Sequence, residues 1–183
     1  MRALPEPNNS LHLSTVWMTL DLVVVAKALA WVAFAITGAG YLRGNDRQLK
    51  QAIATSSGLL SMHFMLMSAW VPAANLFVNA VRNHLSRSVS GMGWFLGFST
   101  LQIGMSIACW SQPRDFFPLA GSLMSGYALL CCHGRSLRFW MLLCGLLWLI
   151  NDALLRTYGA VMQDLFGISA NLYGLYRQRD QRD

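Results

Sequence analysis

The feature that most constrains this chain is a series of seven apolar runs separated by short polar gaps. They lie at about Val16–Leu42, Gln51–Trp70, Pro72–Ser88, Gly91–Trp110, Phe116–Cys132, Leu137–Leu155 and Tyr158–Tyr176. Most reach the roughly 17–25 residues that a helix needs to cross the hydrocarbon of a bilayer. In lipid every backbone N–H and C=O must be satisfied internally, so spanning segments are helices or closed barrels. The ten-residue alternating strands of an outer-membrane barrel are absent. Composition agrees: 55% of the 183 residues are hydrophobic and 12% charged, against about 25% charged in soluble domains. The expected fold class is an all-α integral membrane protein with seven transmembrane helices.

The third and seventh runs are short and polar, and charge distribution supports them. With seven spans, one side of the membrane carries Arg43, Arg47, Lys50, Arg82, Arg87, Arg135, Arg138, Arg177, Arg179 and Arg182, and the other Arg2, Arg114 and Arg156. The richer side is cytoplasmic by the positive-inside rule, which predicts N-out and C-in. The expected organisation is a polar tail over 1–15, a three-helix unit over 16–88, a linker helix over 91–110, a second three-helix unit over 116–176 and a basic cytoplasmic tail over 177–183.

Several classes are excluded. The net charge of +6 is spread singly or in twos and threes between apolar runs and carries no nucleic-acid motif, so no nucleic-acid partner is expected. Cys109, Cys131, Cys132 and Cys144 match no zinc spacing and no disulfide framework. They read as small core hydrophobes, and no metal or other cofactor is expected. The first run is too long for a signal peptide and contains Lys27. No nucleophile–base pairing or phosphate loop is present, so the chain is not expected to be an enzyme.

An internal repeat is suggested by Ala74-Asn75-Leu76-Phe77 in the third run and Ala170-Asn171-Leu172-Tyr173 in the seventh, each followed by an Arg, Arg82 and Arg177. The Asn-to-Arg spacing differs by one residue. Three helices, a linker and three more helices give the second unit the same orientation as the first, as in transporters with parallel repeats.

Polar groups inside a bilayer cost about 2.5–3.5 kcal/mol when charged and central, and they mark function by default. The candidates are Lys27, His63, Asn75, Asn79, Gln102, Asn151, Asp152, Asp164 and Asn171. Asn75 and Asn79 share a helix face and could present two carboxamides to a neutral polyhydroxy or amide-bearing solute. Asn171 sits in the comparable stretch of the second unit, and His63 and Asn151 lie in corresponding helices. The competing interpretation is that these groups form interhelical hydrogen bonds that hold the bundle, worth about 0.6 kcal/mol each on average. Lys27 either snorkels or takes Asp152 or Asp164 as partner. Pro118 is either a hinge or a first-turn proline.

The stretches Arg43-Gly44-Asn45-Asp46-Arg47, Met62-His63-Phe64, Val78-Asn79-Ala80-Val81-Arg82, Phe117-Pro118-Leu119-Ala120-Gly121, Trp148-Leu149-Ile150-Asn151 and 171–177 resemble the YgjV family of bacterial inner-membrane proteins. The resemblance runs from about Lys27 to Arg177. The family's layout is similar to the three-plus-one-plus-three plan of SWEET sugar transporters and PnuC vitamin transporters. In those, asparagines on the third and seventh helices line the solute site. The likeness implies a site at Asn79 or Asn75 and Asn171, and the inner membrane as location. The sequence departs from that pattern at Lys27, in the lack of a first-span proline, and at Gly174, where a second polar residue is expected.

The expected function is a transporter or facilitator of a small polar solute, with Asn79, Asn171, Asn75, His63, Asn151 and Lys27 as binding residues. The alternative is a non-transporting membrane assembly or sensor protein. The bilayer is the expected partner, and self-association into a homo-oligomer is left open.

Overall fold

The structure is a computed structural model that describes residues 9–42, 46–86 and 88–180. Its helices are α1 (Asn9–Leu42), α2 (Asp46–Leu66), α3 (Trp70–Leu85), α4 (Met92–Cys109), α5 (Phe116–Cys131), α6 (Gly134–Leu154) and α7 (Tyr158–Asp180). A 3-10 turn, Pro113–Asp115, precedes α5. All regular structure among the described residues is helical. Each apolar run coincides with one helix to within a few residues, except that α1 starts at Asn9, inside the stretch expected as tail. Asn and Ser favour helix starts whatever the hydropathy that follows. Residues 1–8, 43–45 and 181–183 lie outside the described residues, as do Arg2, Arg43, Arg87 and Arg182 of the charge argument.

Among the described residues, three segments are long and apolar enough to cross a membrane: Asp21–Gly40 within α1, Met92–Cys109 and Gly134–Leu154. Helices α3 and α5 have 16 residues each. The remaining two, α2 and α7, are longer but carry more polar side chains. Much of the outer surface is apolar, with Val24, Trp31, Phe77, Leu96, Ile107 and Tyr173 all exposed, as a lipid-facing surface requires.

Packing follows the chain in each half: α1 against α2, α2 against α3, then α5 against α6 and α6 against α7. Helix α3 meets α5 and α7 meets α1, closing a six-helix ring. Helix α4 packs on α3 and α5 alone among the stronger contacts. Small residues make these approaches close. The core joins Ala30, Ala33, Ala73 and Ala160 with Phe64 and Trp148.

The two halves share local detail. Helices α2 and α6 both have 21 residues, and their ends lie 88 positions apart. The turns that follow are built alike. After α2, the N–H groups of Met67, Ser68 and Ala69 donate to the carbonyls of His63, Met65 and Phe64. After α6, those of Leu155, Arg156 and Thr157 donate to Asn151, Ala153 and Asp152, again 88 positions on. This is the 6→1 and 5→2 closure of a helix C-terminus that passes through a left-handed residue. That residue is not a glycine in either turn: Ser68 has φ 55° and Arg156 φ 56°. Pro118, the third residue of α5, is a first-turn proline, where its missing N–H breaks no helical bond.

Candidate functional site

The polar interior begins with helix faces. Asn75, Asn79 and Arg82 are four and three residues apart, so one face of α3 carries all three. In α4 the buried residues are Ser99, Gln102 and Ser106, again a single stripe. This helix has its polar side inward and its apolar side outward, which suits lipid and not water. Helix α5 adds Ser122 and Ser125 to the same region.

These groups form a buried network joining α3, α4 and α5. The Gln102 amide donates to the Asn79 carbonyl oxygen at 2.8 Å, and the Asn79 amide donates to Ser122 Oγ at 3.0 Å. The Asn75 amide donates to Ser106 Oγ at 2.8 Å and to the Val71 carbonyl at 2.9 Å. Arg82 reaches into the centre. It donates from Nη1 to the Ser122 carbonyl at 2.9 Å, and from Nη2 to Ser125 Oγ at 2.8 Å and Asn83 Oδ1 at 3.3 Å. A Cβ on Gly126 would stand 2.8 Å from Nη1, so this glycine leaves room for the guanidinium.

The position of Arg82 corrects the sequence reading, which counted it among cytoplasmic charges. Its relative exposure is 1%. It falls on the Asn75/Asn79 face, and helical side chains lean toward the N-terminus of their own helix. The guanidinium therefore lies over the preceding turn, toward mid-bundle, although the residue is near the end of α3. The remaining basic residues still divide nine against three.

A second polar group lies between α1, α2, α6 and α7. His63, wholly buried, hydrogen-bonds through Nδ1 to the Ala26 carbonyl at 2.7 Å. A carbonyl can only accept, so Nδ1 carries the hydrogen, and Nε2 is buried without a partner. The Asn151 amide donates to Asp152 Oδ1 at 2.8 Å, and the Oδ2 of Asp164 is buried without a hydrogen-bond partner. The Gln163 amide donates to Ser56 Oγ at 2.9 Å. Lys27 is exposed and lines a small cavity of about 30 Å³ with His63, Arg156 and Thr157. Asp152 takes Asn151 as its partner instead of Lys27.

Asn75 and Asn79 are thus brought together, while Asn171 stays apart from them. Half-buried, it donates to the Gly167 carbonyl of its own helix at 2.9 Å. In the 88-residue register of the two turns, position 171 corresponds to Asn83, not to Asn75. The Ala-Asn-Leu-aromatic likeness is eight residues out of that register. Gly174, where a polar side chain was expected, lies beneath the guanidinium of Arg138. Arg82, Gln163 and the serines were not selected as site residues from sequence. The stripe of Ser99, Gln102 and Ser106 was a readable signal, since it runs through an otherwise apolar segment.

The lining of the larger groove is different. About 660 Å³ between α2, α3 and α4 is bordered by Met62, Met65, Trp70, Phe77 and Met105, and it presents almost no polar atoms.

Comparison with known proteins agrees with this lipid-facing architecture. The family described as Imp-YgjV, bacterial inner membrane protein, matches residues 24–182. The inner membrane protein YgjV of Escherichia coli (strain K12) is 24% identical over 138 residues, covering 75% of each chain. No solved structure matches.

Proposed function

The chain belongs to the Imp-YgjV family of bacterial inner membrane proteins, and from that premise we propose that it is a transporter or facilitator of a small polar solute. One observation carries the reading. In a multi-pass inner-membrane protein, α3 and α4 turn their polar faces toward each other and away from lipid. Amide, hydroxyl and guanidinium groups there are hydrogen-bonded to one another across α3, α4 and α5. Polar side chains at that depth mark solute pathways.

The proposed architecture is seven spans, N-out and C-in, with two parallel three-helix units joined by α4. The paired turns, the equal lengths of α2 and α6, and the ring in which α3–α5 mirrors α7–α1 support the repeat, and the distribution of basic residues supports its direction. Rocking of the units would open and close the network, which in the present conformation is shut.

A second reading, a non-transporting assembly or sensor protein, is favoured by the closure of the network on itself: both polar ends of the Asn79 amide have protein partners. Flux measurements in proteoliposomes across sugars, nucleosides, vitamins and small acids separate the two. The transport reading expects a saturable flux that Asn79→Ala reduces. Absence of flux for every solute, with a stoichiometric protein partner copurifying, would favour the second.

A further inference from the structure

We infer that the solute carries an anionic group, a carboxylate or a phosphate, and that Arg82 is the residue that binds it. The inference rests on the transport reading above and narrows its substrate class.

Arg82 has a relative exposure of 1%, and its acceptors are all neutral: one carbonyl, one hydroxyl and one amide oxygen. Among the described residues no carboxylate lies on it. Its Nε–H, buried, has no acceptor at all. A guanidinium offers five N–H donors in a planar fork that matches a carboxylate or phosphate in two parallel bonds. A cation taken out of water without a counter-charge costs several kcal/mol. A bundle built only for stability gains nothing from keeping one there.

The surroundings are donor-rich as well. The amide N–H groups of Asn79 and Gln102 and the hydroxyls of Ser122 and Ser125 lie on the same network. The two amides and the Ser125 hydroxyl can turn from their present acceptors to an anionic oxygen, and the Ser122 hydroxyl can donate to one. The closed network is therefore the empty-handed form of the site, in which serine and backbone oxygens stand in for the solute's. Opening of α3 from α5 would exchange these neutral acceptors for charged ones.

The test uses the purified full chain in neutral detergent at constant ionic strength. Its thermal unfolding is followed while acetate, succinate, inorganic phosphate and glycerol 3-phosphate are titrated beside glycerol, ribose and glucose. A ligand that binds only the folded form raises the apparent Tm. At least one anion is expected to do so, with affinity falling about tenfold or more in Arg82→Gln, the loss of one or two charge-assisted bonds. Arg82→Lys should retain part of the binding. Because Arg82→Gln could fail to fold, the arginine Nε–Hε resonances of the wild-type protein are recorded too, with Arg82 assigned by its absence from Arg82→Lys. The binding anion should move the Arg82 signal. Stabilisation by neutral solutes alone would overturn the anionic assignment and leave the transport reading standing. So would anion binding that leaves the Arg82 signal in place. Absence of any stabilisation together with absence of any flux would overturn both.

Discussion

Asn79 shows how much one amide can hold. Its oxygen accepts from Gln102 on α4 and its nitrogen donates to Ser122 on α5, so a single side chain links three helices. Asn79→Ala leaves Gln102 with a buried, unpaired donor. The expected loss is about 1–2 kcal/mol, measured by reversible unfolding in mixed micelles. Asn171→Ala removes a half-buried bond within one helix turn and is expected to cost less than about 0.5 kcal/mol. Equal losses for the two would sink the claim that the network is centred on α3. Arg82→Met separates function from stability at the same place. It removes the buried cation, fills a similar volume, and leaves Ser125 still donating to the Ser122 carbonyl. Apolar replacement of buried ionic groups is commonly neutral or stabilising. The variant is expected to unfold no more easily than the wild type while losing solute binding. A loss of more than about 2 kcal/mol would instead make Arg82 a structural staple.

At the scale of elements, contact between helices depends on glycines that differ in what lies opposite them. A Cβ on Gly159 would sit 3.0 Å from the carbonyl carbon and the Cβ of Ala30, where α7 crosses α1. Backbone cannot swing aside as a side chain can. Gly159→Ala is therefore expected to cost about 1–3 kcal/mol through overpacking. Gly167→Ala, with nothing within 4 Å, should be neutral or gain up to about 1 kcal/mol from helix propensity. Unfolding of the two variants side by side checks the pair. The elements themselves were legible in the sequence, because an apolar run of spanning length has one available conformation in lipid. Their neighbours were not. Lipid is as apolar as leucine, so an apolar helix face carries little mark of whether it meets lipid or another helix. The ring order, and the place of α4 outside it, had to come from the structure. Arg82 was misread for a related reason. A rule that counts charges near helix ends ignores the face on which they fall, and the 75/79/82 spacing already placed this one beside the two asparagines.

The arrangement of the whole molecule turns on whether its halves point the same way. A three-helix unit repeated in parallel puts the α2–α3 turn and the α6–α7 turn on one face of the membrane; an inverted repeat puts them on opposite faces. The shared bonding of these turns, with left-handed Ser68 and Arg156 at equivalent places, would arise in either case. Cysteine labelling separates the two directions. Both residues are exposed, and both would face outward under the N-out topology that the basic residues favour. In a background with the four native cysteines replaced by alanine, Ser68→Cys and Arg156→Cys are expected to react with a membrane-impermeant maleimide on intact cells whose outer membrane has been opened. His133→Cys, exposed in the connection between α5 and α6, should react only after the inner membrane is permeabilised. Labelling of one turn without the other would break the parallel relation between the units, and the rocking motion with it. Labelling of His133→Cys alone would keep the units parallel and turn the protein over. Arg82 would then lie on the outer side of the bundle centre, and an anionic solute would meet it first from outside the cell.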